Sequence, residues 1–291
     1  MKILAVLLIF FCLAAGPALA RSQDPPVGPE EVIGFARHLA RSGQPEKAAT
    51  EYGRVLYLFP DHPETDRVRL ELAESLLAAG QPVKALETVS GLSQGPPGPL
   101  TGQASILMAQ ALALTGRLAE AESVYKRMAA DEAFPALVRD RAAYRLGWLY
   151  LEEFRWDEAA QIFGRIPPES PLGLKAALLA RQVGQGAALP RKSPRLASFL
   201  SVLLPGLGQA YTGRWADAGW SCGLTLGAGV LSWLALASGS LVTGGVLAAV
   251  ALAFYGGNIY NALNNAHRKN RLAAEEFVGG LKTAVEGLGG G

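Results

Sequence analysis

Cysteine and histidine are both scarce in this 291-residue chain, at two and three residues. Cys12 and Cys222 exclude a disulfide framework and a multi-cysteine metal site. Each lies in an apolar stretch, where a free cysteine is a small hydrophobe. Charge is scarce too. Asp, Glu, Lys and Arg make up 18% of residues and hydrophobic residues 50%, against about 25% charged in an average soluble domain. Part of the chain is therefore expected in lipid. Net charge is +2, unevenly placed: residues 21–187 carry 18 basic and 21 acidic side chains, and residues 188–291 carry 8 and 4. A weak positive balance beside apolar sequence suits a membrane surface and excludes the dense basic patch that nucleic acid requires. There is no Walker loop, no H-E-x-x-H and no dinucleotide fingerprint, so no cofactor or metal is expected. Gly219-Trp220-Ser221-Cys222-Gly223 spells G-x-S-x-G. That hydrolase elbow needs a strand before it and a helix after it, whereas here it falls inside an apolar helix. No catalytic residue is expected, and the chain reads as a non-enzyme.

What is present begins with Met1-Lys2, an apolar run from Ile3 to Ala15, a Gly16-Pro17 break and Ala18-Leu19-Ala20 before Arg21. That is the layout of a cleaved export signal over residues 1–20. It is shorter than the roughly 20 apolar residues that span a bilayer. Cleaved or retained, it delivers the following residues outside the cytoplasm.

Residues 21–187 are repetitive. Four segments, Glu31 to Pro60, Arg67 to Leu92, Ser105 to Met128 and Ala142 to Ile166, each read as an apolar helix, a tight break and a second helix. Gly43, Gly80, Gly116 and Phe154 stand at the breaks, 37, 36 and 38 residues apart. Five residues after each comes an alanine (Ala48, Ala85, Ala121, Ala159), and four later a larger side chain (Tyr52, Val89, Tyr125, Phe163). Small then large on one face lets two antiparallel helices approach and lock. With Ala36, Ala73, Ala109 and Gly147 on the first helices and Pro60 as a closing proline, the pattern resembles the tetratricopeptide repeat (TPR) family. The fourth unit, with Leu146-Gly147 and Tyr150, is the nearest match. The period is nearer 37 than that family's 34. The resemblance implies an all-α solenoid of about four helix pairs whose concave surface binds protein segments. Arg37, Arg69 and Arg145, on the inner helices, are the candidate partner-binding residues, suited to acidic groups. Leu172 to Gln182 is expected to close the last repeat.

A Pro- and Gly-containing linker over residues 188–195 leads into a membrane module, residues 196–271. From Ala218 to Ala266, 49 consecutive residues include no Asp, Glu, Lys, Arg or His. That is room for two spans, near 218–238 and 241–263, joined at Ser238-Gly239-Ser240. Gly219, Gly223 and Gly227 on the first, and Gly245, Ala249, Ala253 and Gly257 on the second, recur every four residues as helix-packing stripes. They suit packing within the hairpin or against another copy. Ahead of them stand Pro205, Gly206, Gly208, Gln209, Tyr211, Gly213 and Arg214. Together with the ending around Asn258 and Tyr260 they resemble a bacterial membrane module with a PGLGQ-x-Y-type core, which implies architecture rather than a reaction. Pro205 must interrupt the helix from Leu196 to Leu204, so residues 196–212 either re-enter or make a third crossing. The placement of Arg214 and of Arg268, Lys269 and Arg271 favours three. Residues 272–291 read as a short amphipathic tail.

The expected protein is a scaffold of the bacterial envelope, anchored in the inner membrane with its repeats in the periplasm. Its expected partners are other envelope proteins, membrane lipid and a second copy of itself, and not nucleic acid. The alternative is a small oligomeric channel or transport accessory regulated by the repeats.

Overall fold

A computed structural model describes residues 28–288; the export-signal segment and the last three glycines lie outside that range. Among the described residues there is no strand. The fold is an all-helical, TPR-like solenoid followed by two long apolar helices. The solenoid is built from α1 (Pro29–Arg41) and α2 (Pro45–Leu58), α3 (Thr65–Ala78) and α4 (Pro82–Ser90), α5 (Pro99–Leu114) and α6 (Leu118–Ala130), and α7 (Ala136–Glu152) and α8 (Trp156–Phe163), with α9 (Gly173–Ala187) after them. Proline opens α1, α2, α4 and α5. It is tolerated there because the first amides of a helix have no partner within it. A 3₁₀ turn, Leu92–Gln94, leads into the Gly95–Gly98 loop.

The breaks within pairs share one geometry. Gly43, Gly80 and Gly116 have φ of +74°, +70° and +80°, and Phe154 has +59°. The next residue's amide donates back to a carbonyl five residues earlier: Gln44 to Leu39, Gln81 to Leu76, Arg117 to Leu112 and Arg155 to Tyr150. This is the Schellman turn, which satisfies the orphan carbonyls of the first helix. Phe154 is the one bulky residue held at positive φ among those described, where a Cβ is unfavourable.

The alanines and their larger partners are all buried. Ala36, Ala48, Tyr52, Val55 and Val68 form one cluster, and Ala73, Ala85, Val89, Ala104 and Leu107 belong to the next. In the fourth pair a Cβ on Gly147 would come within 2.5 Å of the Phe163 ring, so the missing side chain is what admits the aromatic. The chain divides into two compact units between Ala121 and Glu122, within α6.

The second unit continues through α10 (Pro194–Leu203), α11 (Leu207–Tyr211), α12 (Trp215–Ala237) and α13 (Leu241–Gly287). Ten residues make α10 about 15 Å long, half a bilayer core. Gly206, at φ +95°, then turns the chain back. The amide of Ser193, before α10, donates to the hydroxyl of Tyr211, at the end of α11, over 3.1 Å. The segment thus doubles back with its two ends together. Two helices, α12 and α13, are long and apolar enough to cross a membrane, and only 11% of the apolar window of each is buried. They pack on each other about the Ser238–Ser240 turn, where Gly244 seats against Leu236.

Nor do residues 272–287 form a separate helix. Helix α13 runs on without a break to Gly287. Its last third packs against α9 and α7, burying Ala274, Leu281 and Val285 and setting the Phe277 ring 5.7 Å from that of Trp156.

Candidate functional site

The first unit has a groove of about 440 Å³ with Arg37 and Arg41 on α1, Tyr52 on α2, and Arg67, Glu71 and Glu74 on α3. Residues 67, 71, 74, 75 and 78 line it because i, i+4, i+7, i+8 and i+11 share a helix face. Arg69, two residues from Arg67, falls on another face; it is exposed and pairs locally with Asp66 at 2.7 Å. Arg37 does line the groove but is committed. Its Nε donates to Glu71 Oε2 at 2.9 Å and its Nη2 to Glu64 Oε2 at 2.9 Å, joining the first helices of two successive repeats. Those hydrogen bonds raise the Arg37 pKa, and Arg37 lowers that of Glu64. Burial, with Glu71 alongside, raises the Tyr52 hydroxyl. Arg41 and Arg67, which sequence reasoning passed over, are the exposed cations of this groove.

The second unit has a larger groove, about 590 Å³, between α6, α7 and α8. Arg139, Ala143, Leu146 and Tyr150 form its α7 wall, with Lys126 from α6, Gln161 and Ile162 from α8, and Arg165 just beyond α8. Arg145 is off that face and exposed. At one end Arg155 gathers Glu122 (2.8 Å), Glu153 (2.9 Å) and Glu158 (2.5 Å) while its guanidinium lies 4.2 Å over the Tyr150 ring. Tyr150 Oη donates to Glu122 at 3.1 Å, and Lys126 pairs with the same carboxylate at 2.6 Å. Arg155 first, then Lys126 and Tyr150, hold the Glu122 carboxyl down to about 2. Burial raises the Tyr125 hydroxyl. Arg139 Nε is buried with no hydrogen-bond partner. The groove thus offers one unmet cationic donor, Arg139 Nε, on a lining that also includes Asp140, Glu158 and Arg165.

The module residues singled out in the sequence come together as a buried polar knot. Gln209 is wholly buried; its Nε2 donates to the Asn258 carbonyl at 3.0 Å, and its Oε1 accepts from Ser201 Oγ at 3.3 Å. Asn258 Oδ1 accepts from the Gly206 amide at 3.1 Å, and its Nδ2 donates to the Ser201 carbonyl at 3.3 Å. Gly208 admits no side chain, because a Cβ would collide with the Ala197 carbonyl, Ser201 and Ala262. Gly206 is equally tight against the Ala218 carbonyl. Pro205 is buried beside them. Gly213 sits at φ +86° in the turn into α12. Arg214 donates to Asn265 at 2.6 Å and pairs with Asp217. Tyr260 is exposed.

The small-residue stripes do not close the hairpin on itself, which leaves contact with another copy as the use open to them. Gly219, Gly223, Gly227, Gly245, Ala249, Ala253 and Gly257 are all exposed, and a Cβ on any of the five glycines would meet nothing within 4 Å. The hairpin closes through other small residues, Gly244 among them, because four-residue spacing defines a face without saying which way it turns. Ser221 lies in the interior of α12, with no strand before it.

Among proteins of known sequence and structure, residues 33–99 match one tetratricopeptide repeat family model and residues 141–167 another. No curated protein matches the chain. Two solved structures are similar, both of the nearly identical TPR-like repeats of a Podosopora anserina protein described as a kinesin light chain, one of them a point variant. Each is 18% identical with a TM-score of 0.46 and covers 55% of this chain; the matches take in 86% of the variant and 89% of its parent. The family models thus fall on the helix pairs α1–α2 and α3–α4 and on most of α7–α8, ahead of two helices of membrane-crossing length.

Proposed function

We propose that this chain is a membrane-anchored scaffold that holds a partner protein against its repeats. The observation that carries this reading is the α6–α8 groove, whose Arg139 and Arg165 have no anionic partner among the described residues. An acidic or carboxylate-bearing segment of another envelope protein is its natural occupant. The partner site moves from Arg37, Arg69 and Arg145 to Arg139 and Arg165. The anchor is the PGLGQ-x-Y-type module. Trp215 and Trp233, 73% and 67% exposed, stand 18 residues apart on α12, about 27 Å along the helix, the separation of two interfacial aromatic belts. The export signal supports a bacterial inner-membrane protein with periplasmic repeats, in a setting of envelope or membrane-protein biogenesis. The exposed small-residue stripes suit close approach of a second copy in lipid.

A channel is less well supported, because Ser201, Gln209 and Asn258 are tied to one another and to backbone instead of lining a path. Photo-crosslinking from Gln161 in intact cells tests the scaffold. A captured protein that Arg139→Glu/Arg165→Glu loses supports the groove, and capture unaffected by the reversal rejects it. Alkaline phosphatase fused after Ala187 reports the side: active enzyme places the repeats outside the cytoplasm, inactive enzyme inside.

A further inference from the structure

Within the second unit, a cavity of about 500 Å³ lies where the fourth repeat, the end of α9 and the middle of α13 meet. Its lining includes Arg191, His267, Arg268 and Arg271, with no acidic residue. None of the three arginines has an ion-pair partner among the described residues. Trp156, 5% exposed, forms part of the wall, and its indole N–H is buried without an acceptor. Leu189 and Pro190 supply an apolar side.

The depth of this cavity is set by α13. Ala266 is the last residue of the charge-free run, so His267, Arg268 and Arg271 stand within about 8 Å beyond it along the helix axis, the level of lipid headgroups. Close by, the Lys192 backbone exchanges hydrogen bonds with the Asn270 side chain (2.8 and 2.9 Å) while its ammonium lies 4.6 Å over the Tyr211 ring, and Lys269 Nζ donates to the Thr212 carbonyl at 2.9 Å, so both lysines are engaged. The opposite end of the hairpin, Ser238–Ser240, carries no charge.

Taken together, the geometry points to this cavity as a site for the phosphate headgroup of an anionic phospholipid. Arg191, Arg268 and Arg271 bind the phosphodiester, the Trp156 N–H is a further donor, and the acyl chains lie against α13. Guanidinium forks match phosphate oxygens, and basic pockets at membrane-helix ends take such headgroups. The site rests on the reading of α12 and α13 as membrane helices. It also gives the unpaired cations a use on a translocated flank, where the positive-inside tendency disfavours them.

The test uses the full chain purified in neutral detergent, titrated with short-chain phosphatidylglycerol and with phosphatidylcholine of equal chain length, bound lipid being counted by native mass spectrometry. Phosphatidylglycerol should bind at least tenfold tighter. Arg191→Gln/Arg268→Gln/Arg271→Gln should bring it within twofold of phosphatidylcholine, with helix content unchanged by circular dichroism. Arg181→Gln/Arg195→Gln/Lys282→Gln, an equal loss of charge outside the cavity, should keep the preference. Equal binding of the two lipids, a preference surviving the first triple change, or one lost equally in the second overturns the site. Displacement of the lipid by 10 mM inorganic phosphate would overturn the lipid as occupant in favour of a free anion. Flotation with phosphatidylcholine vesicles separates the two failures. A chain that does not float sinks the membrane reading itself, whereas one that floats without lipid preference sinks only this site.

Discussion

Gly147 has no room for a methyl group, since the Phe163 ring occupies the space a Cβ would take. Gly147→Ala should therefore lower stability by about 1–3 kcal/mol, read as a drop in thermal midpoint. Gly53 sits in α2, where an added methyl group would meet nothing within 4 Å, and Gly53→Ala should raise stability by about 0.5–1 kcal/mol. If the two changes shift the midpoint equally, close packing is not what sets them apart. Glu122 behaves differently again, because its carboxyl is depressed to about 2. A depressed acid contributes fully above its unfolded value, near 4.3, and loses that contribution as pH falls through the folded one. Between about pH 4.5 and 2 the fourth repeat should lose on the order of 2 kcal/mol. Glu122→Gln should flatten that part of the stability curve, as followed by urea unfolding at stepped pH.

At the scale of elements, one turn recurs where the surroundings differ. Gly116-Arg117-Leu118-Ala119-Glu120-Ala121, Phe154-Arg155-Trp156-Asp157-Glu158-Ala159 and Gly213-Arg214-Trp215-Ala216-Asp217-Ala218 all place a residue at positive φ, an arginine that pairs with an acid three residues on, and an alanine. The first two join repeat helices, and the third leads into the apolar hairpin. Such turns are legible in a sequence because every interaction in them is local. The helix pairs were legible for the same reason, through the regular small-and-large spacing. The faces of Arg69 and Arg145, the direction of the glycine stripes and the fate of residues 272–287 were not. Each depends on a partner far away in the chain, as Phe277 depends on Trp156. The polar knot belongs to this scale too. Asn258→Ala leaves the Gly206 amide without its acceptor and removes the donor to the Ser201 carbonyl. It should cost about 1–3 kcal/mol and lower the temperature at which the detergent-solubilised chain unfolds.

For the molecule as a whole, the doubling back of α10 and α11 bears on sidedness. With two crossings, Lys126 and Lys282 stand on one side of the bilayer and Ser240 on the other. Cysteines at the first two positions, in a Cys222→Ser background, should react together with an impermeant maleimide, and a cysteine at Ser240 should not. Labelling of Lys126→Cys without Lys282→Cys in the same orientation would restore the third span.

The 47 residues of α13 have a consequence of their own. It is one unbroken helix of about 70 Å whose far arm packs on α7 and α9; with its apolar arm among acyl chains, as proposed, it would act as a lever. A bilayer that thins forces such a helix to tilt, and a tilt of about 10° displaces a point 30 Å up the arm by roughly 5 Å. On that membrane reading, bilayer thickness would be converted into a sideways push on the last repeat.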